Sequence, residues 1–252
     1  MLAFTAGLAK SQEWKSPQER LALVEKTFGD PPNAIRMAKD ARIWMDRAKR
    51  RVIVDGYVCL REGQLEMFAC LVGSKEHESI VALFTKAQYV HAGLLAVGAK
   101  KGETTSFNPY RPASGSTIKI RALWYDERGQ KKTAIAQSWI RFIGTDREMT
   151  YDWVFAGSGF HKDEETHQES YLAEGGDVIC VANFPSATMD LAVRSDDSQN
   201  GLTFTAFTER IPKVGTPVRL VLEVSDDPPA RDSHTPATKS KLPDFEKPAK
   251  LD

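Results

Sequence analysis

Five consecutive residues, Lys75-Glu76-His77-Glu78-Ser79, are followed by His91 in the apolar run His91-Ala-Gly-Leu-Leu95. Together they place two of the five histidines, two carboxylates and a hydroxyl in one short stretch. Imidazole beside carboxylate is the usual equipment for proton transfer near neutral pH, and two imidazoles with a carboxylate are a common metal set. The segment therefore offers an acid–base pair, or a metal site built from His77, Glu78 and His91, with Glu76 and Ser79 as further ligand-binding candidates. In an extended chain side chains alternate faces, so His77 and Ser79 are expected on one face and Glu76 and Glu78 on the other. A purely structural account stands beside these: His91 as a core histidine bonded to Glu78, Ser79 or the backbone, since a buried imidazole needs a partner. Neither the two-histidine helix of a zincin nor a nucleophile elbow occurs.

The elements that must position these residues follow from periodicity. Residues 79–84 read as a strand, Thr85 as a helix cap, and 86–97 as a helix with Ala87, Val90, His91, Leu94 and Leu95 on one stripe and Gly98 at the left-handed stop. Before them, 43–45 and 51–60 alternate as strands around the charged turn Arg47-Ala-Lys-Arg-Arg51. A second hairpin is expected between 51–60 and 65–70, with Val58 opposite Met67 and Tyr57 opposite Phe68. That register separates Cys59 from Cys70 by ~13 Å at ~3.4 Å per residue. This exceeds the ~7 Å limit for a disulfide, so the two are expected unbonded. Strands are further expected over 117–125, 131–142, 151–160, 171–184, 189–193, 202–208 and 218–224. The count, with one core helix at about 86–97, gives a β-rich α+β domain of antiparallel strands over 41–225.

Three other stretches carry polar density. Trp153-Val-Phe-Ala-Gly-Ser-Gly-Phe160 has small residues that suit a bulge or close backbone approach, and Ser158 has no base assignable from sequence. His161, Asp163, Glu164, Glu165 and His167 read as a solvated hairpin tip able to take a cation adventitiously. Gly175-Gly-Asp177 and Asn183-Phe-Pro185 read as turns flanking a strand in which Cys180 is a small buried hydrophobe.

Composition bounds the rest. Apolar residues make up 41% and charged residues 27%, and 34 basic side chains balance 34 acidic ones. A balanced chain lacks the basic excess of a nucleic-acid binder, so no nucleic-acid partner is expected. No apolar run reaches the ~18 residues of a transmembrane span. Residues 10–40 read as a helical appendage, with Ser16-Pro-Gln-Glu19 as a capping box. Residues 226–252 read as a disordered Pro-rich tail. Met1–Ala9 is apolar and ends in small residues; it reads as a signal-peptide remnant without its basic start, or as a plain disordered end.

Six segments in order carry a family resemblance: Val54-Asp-Gly-Tyr-Val-Cys-Leu-Arg-Glu-Gly63, Leu65-Glu-Met-Phe-Ala-Cys70, Lys75–Ser79, His91-Ala-Gly-Leu-Leu-Ala-Val-Gly98, Trp153–Phe160 and Asn183-Phe-Pro-Ser-Ala187. Together they resemble the YdjY-like domain over about 41–224, closest to the exported versions of planctomycete bacteria. The resemblance implies export to the periplasm or cell envelope and supplies no established reaction. Some relatives carry a ferredoxin-like label, but three scattered cysteines fall short of the four thiolates of an ordinary iron–sulfur cluster, and none is expected. The expectation is an exported domain binding a small ligand or envelope protein at the His/Glu cluster. The alternatives are a metal-assisted or acid–base hydrolase using the same residues, and a scaffold in which the cluster is structural.

Overall fold

The structure, a computed structural model, describes residues 16–162, 164, 166–196 and 203–230. The expected signal remnant, the tail beyond Ala230, and Asp163 and Glu165 of the acidic loop lie outside these residues.

Helix α1 (Pro17–Thr27) starts at the expected capping box: Glu19 N–H donates to Ser16 Oγ at 3.3 Å, and Ser16 N–H to Glu19 Oε2 at 2.7 Å. Strands β1 (Ile43–Asp46) and β2 (Arg51–Val58) form the first hairpin around the charged turn, where the Asp46 carboxylate accepts from Lys49 N–H and the Arg51 guanidinium. Next come β3 (Met67–Leu71), β4 (Ser79–Leu83) and helix α2 (Ala87–Ala96). Strands β5 (Thr117–Tyr125) and β6 (Lys131–Ile135) make a second hairpin. The short strands β7 (Trp153–Val154), β8 (Ile179–Cys180) and β9 (Asp190–Leu191) precede the long β10 (Pro217–Ser225). Across the main sheet the order is β8-β3-β4-β2-β10-β5-β7-β9. The fold is the β-rich α+β class expected, with one sheet as its spine.

Periodicity is legible where one face meets the core. On β10, Val218, Leu220, Leu222 and Val224 are buried between more exposed neighbours, and on β5 Ile118, Ile120 and Ala122 do the same. Central β2 is buried on both faces from Val52 onward. Among its residues is Asp55, which Arg42 and Arg219 grip from two sides, at 2.7 Å and 2.6 Å respectively. The same guanidinium groups donate to the carbonyls of Phe28 and Gly29, at 2.6 Å and 2.7 Å. The buried carboxylate thus fixes the exit of α1 against the sheet, so the helical prefix is docked by hydrogen bonds.

The expected second hairpin does not form. Strand β4 lies between β2 and β3, antiparallel to β2 (Tyr57 opposite Ala82) and parallel to β3 (Met67 opposite Ser79, Leu71 opposite Leu83). The antiparallel register of Val58 with Met67 is therefore wrong. The sequence between residues 60 and 65 looks like a hairpin turn, yet the gain comes from burying β3 on both faces, and β4 supplies the partner. Cys59 and Cys70 remain unbonded, as all three cysteines are free, but the reason is an intervening strand and not an offset register.

Parallel neighbours normally need a crossover of a dozen or more residues. Here residues 72–78 make the whole return, tightened by a 3-10 turn over Glu76–Glu78. The reactive-looking segment is that crossover, and the alternating extended arrangement expected for it gives way to a turn. Two more expectations are corrected. Residues 151–160 and 171–184 are broken into short strands, with a 3-10 turn at Leu172–Gly175. Helix α2 is not capped by Thr85; Lys86 holds the cap position, and the first amides, Ala87 N–H and Gln88 N–H, donate to the Glu174 carboxylate from across the fold.

Candidate functional site

The 3-10 turn sends the five residues of the segment in different directions. Ser79 is fully buried and its hydroxyl donates to the Lys75 carbonyl at 2.7 Å, closing the turn. Glu76 accepts from the Tyr57 hydroxyl at 2.9 Å and from Gly73 N–H at 2.8 Å, which ties the crossover to β2. These two candidates are held by structural bonds. His77 projects outward with 78% of its side chain exposed, and its Nε2 is 3.8 Å from Glu78 Oε2.

Lys75 turns the other way, to the residues after the second 3-10 turn. Its Nζ pairs with Asp177 Oδ1 at 2.9 Å, lies 4.7 Å above the Phe184 ring, and is 3.8 Å from Glu78 Oε1. Ser186 donates a short hydrogen bond to the other Asp177 oxygen. Burial opposes the lysine's charge, but the hydrogen bond and charge of Asp177 outweigh it, and the pKa rises. Lys75 is thus a fixed cation, unsuited to act as a base. Gly176 is what allows the approach: it sits at φ +119°, and a Cβ there would lie 2.7 Å from Ser74 Oγ. Two motifs far apart in sequence therefore converge on one polar cluster of Lys75, Glu78, Asp177 and Ser186, with His77 at its rim.

His91 belongs elsewhere. It sits half-buried at the edge of the α2 stripe, whose buried members are Ala87, Val90, Gly93 and Leu94, while Leu95 is 48% exposed. Its Nδ1 shares a hydrogen bond with the Tyr171 hydroxyl at 2.9 Å, and its ring meets Phe155 and Tyr171 edge-on. Tyr171 donates to the Gly157 carbonyl at 3.2 Å and lies 3.2 Å from Thr188 Oγ1. Burial, aided by the charge of Lys101, pushes the His91 pKa down. Beside them Ser158 is buried in the left-handed region at φ 51°, in the irregular stretch that follows Val154 and not on a bulged strand as expected. The partner of His91 is Tyr171, which carries no motif and enters only through the return of the chain after the acidic hairpin. His77, Glu78 and His91 are not brought together, and among the described residues no group of three His, Cys, Asp or Glu side chains is placed to hold a metal.

A third polar centre was not singled out from sequence. Asp190 is fully buried and accepts from Thr105 Oγ1, Asn183 Nδ2, Phe184 N–H and Leu191 N–H. Burial pushes its carboxyl up to about 7 against those bonds. Asn183 also accepts from Ser195 N–H, so the turn reading of Asn183 extends to a latch for the whole 183–195 loop. Cys180 is buried as expected, and burial raises its thiol well above the ordinary range. A cleft of 530 Å³ lined by Leu23, Arg61, Trp124, Tyr125 and Ile211 lies apart from all three centres.

Residues 43–223 match the YdjY domain, and the chain belongs to that family. No curated protein and no solved structure matches it. Among the described residues no helix is long and apolar enough to cross a membrane.

Proposed function

We propose that this YdjY-domain protein is an exported binding domain that takes a small ligand or an envelope partner at the Lys75–Glu78–Asp177 cluster, with His77 at the rim. The observation that carries the reading is the state of Glu78. Its side chain is only 20% exposed, yet Lys75 Nζ and His77 Nε2 each sit 3.8 Å from its oxygens. A partly buried carboxylate with such loose partners keeps acceptor capacity for an incoming donor. With Asp177 beside it and one lysine between them, the cluster suits a ligand bearing an ammonium or guanidinium group. Export rests on the resemblance to exported relatives.

The test is a thermal-shift series with the native protein against alkylamines, guanidinium compounds and matched carboxylates. Stabilisation by the cationic probes, lost in Glu78→Gln, supports the reading. Turnover of an ester or phosphoester abolished by His77→Ala would instead favour the hydrolase alternative. An alkaline phosphatase fusion that stays inactive would remove export.

A further inference from the structure

The cleft of 530 Å³ at the end of β5 stands apart from the three polar centres. Its volume falls in the ~300–1,000 Å³ range of small-molecule sites. Leu23 of α1 lines one side, Trp124 and Tyr125 of β5 a second, and Ile211 and Val214 in the approach to β10 a third. The lining is mostly apolar, and its two aromatic side chains are not packed away: Tyr125 is 40% exposed and Trp124 is half-buried. The walls are held in place. Gly215 N–H donates to the Val58 carbonyl at 2.8 Å and Val58 N–H to the Thr216 carbonyl at 3.0 Å, which staples the approach to β10 onto the end of β2. Helix α1 is fixed through the Phe28 and Gly29 carbonyls, and the Phe28 ring lies 5.9 Å from that of Tyr125. A cleft formed in advance binds without the cost of ordering its walls.

Charge decides what fits. Arg61 is half-buried in the lining and donates through Nε to the Ile211 carbonyl at 3.0 Å and through Nη2 to the Thr208 carbonyl at 2.8 Å. Both acceptors are neutral, and among the described residues no carboxylate pairs with this guanidinium. The group has five N–H donors, and those on Nη1 take no part in the two bonds. The carboxylates of the lining are already occupied. Asp126 accepts from Arg128 N–H and Gln130 N–H and pairs with Lys132 at 3.3 Å, while Glu127 pairs with Lys213. The charge left without a counterion is the positive one on Arg61. The Glu127–Lys213 pair joins the β5–β6 turn to the approach to β10, and both side chains are about three-quarters exposed, so the pair is weak and opens readily.

We propose that this cleft is a second binding site, for a flat apolar ligand that carries one carboxylate. The apolar body lies among Leu23, Trp124, Tyr125 and Ile211, where aromatic faces favour a planar group. The carboxylate pairs with Arg61, whose guanidinium geometry matches it and whose charge has no other counterion. The site is independent of the Lys75–Glu78–Asp177 cluster and opposite to it in the charge of the ligand that it selects.

The test is calorimetric titration of the full chain with three probes of one shape: 1-naphthylacetate, 2-(1-naphthyl)ethanol and 2-(1-naphthyl)ethylamine. One naphthylacetate per chain is expected, bound about tenfold or more tighter than the alcohol, as a hydrogen bond to a charged group implies, and tighter still than the amine. Arg61→Gln should lose the preference for the carboxylate and keep the affinity for the alcohol, which also shows that the variant is folded. Because Arg61 holds two carbonyls and its loss can unfold the chain, a second variant leaves it in place. Leu23→Trp, on the half-buried face of α1, fills the cleft and should lose all three probes with an unchanged Tm. Three results would each overturn the site: no binding of naphthylacetate at millimolar concentration, equal affinity for the alcohol or the amine, or native affinity in Leu23→Trp.

Discussion

The Tyr171 hydroxyl lies 2.9 Å from Nδ1 of His91, and the same oxygen donates to the Gly157 carbonyl. One phenol therefore ties the core helix to the irregular segment after β7, and it does so with a histidine held neutral by burial. The pKa of His91 is pushed down, so the folded chain resists a proton that the unfolded chain takes up near its ordinary ~6.5. Its contribution is present above that pH and is lost as pH falls below it. Replacing His91 with Leu should flatten this part of the acid limb when Tm is followed from pH 7.5 to 5. An unchanged slope in His91→Leu would show that the imidazole is not the titrating group.

Asp190 works in the opposite direction. Its folded pKa is raised to about 7, so the folded state holds a proton that the unfolded state releases near 4. Stability from this group is present in acid and declines as pH rises between those values. Asp190→Asn should lessen that decline, so that Tm of the variant gains on the native protein as pH goes from 5 to 8. A constant Tm difference across the range would exclude Asp190 as a titrating residue.

Gly56 in the Val-Asp-Gly-Tyr stretch has no space for a side chain. A Cβ there would meet the Ala82 carbonyl oxygen at 2.1 Å, across the β2–β4 ladder. The atom in the way is backbone, so relief requires the strands to part. Gly56→Ala should cost more than the ~1–3 kcal/mol of ordinary overpacking, seen as insoluble expression or a collapse of the denaturation midpoint. A soluble variant with an unchanged midpoint would contradict the strand placement.

Asp55 is buried between Arg42 and Arg219. Removing its charge leaves two confined guanidinium groups facing each other, a change of the kind that costs ~3–5 kcal/mol. Asp55→Asn should lower stability by that order in urea titrations. It should also expose the end of α1 to hydrogen exchange, since the same arginines hold the Phe28 and Gly29 carbonyls. Loss of stability without faster exchange near Phe28 would detach the two roles.

Much of the frame was legible because local pattern and tertiary packing agree: the capping box at Ser16, the alternation from Thr117 to Tyr125, the left-handed Gly98, and a family resemblance carried by ordered segments. What sequence could not supply was adjacency. A hairpin turn after Leu60 and a strand swap look alike along the chain, and only the burial of β3 beneath β4 decides between them. The same limit governs the site. Lys75 and Glu78 were visible as residues of chemical interest, but Asp177 and Ser186 join them only through three-dimensional return of the chain, and Tyr171 claims His91 from a stretch with no motif.

The brevity of the β3–β4 return has a consequence for how this family can vary. Residues 72–78 return the chain along the length of a strand, and the Ser79 and Glu76 bonds hold their turn in place. A residue gained or lost there has nowhere to go except into the strands, where a shift by one exchanges inward and outward faces. This loop, although at the surface, is a fixed-length tie. Outward side chains such as His77 are free to change chemistry, and neither Glu76 nor the length is.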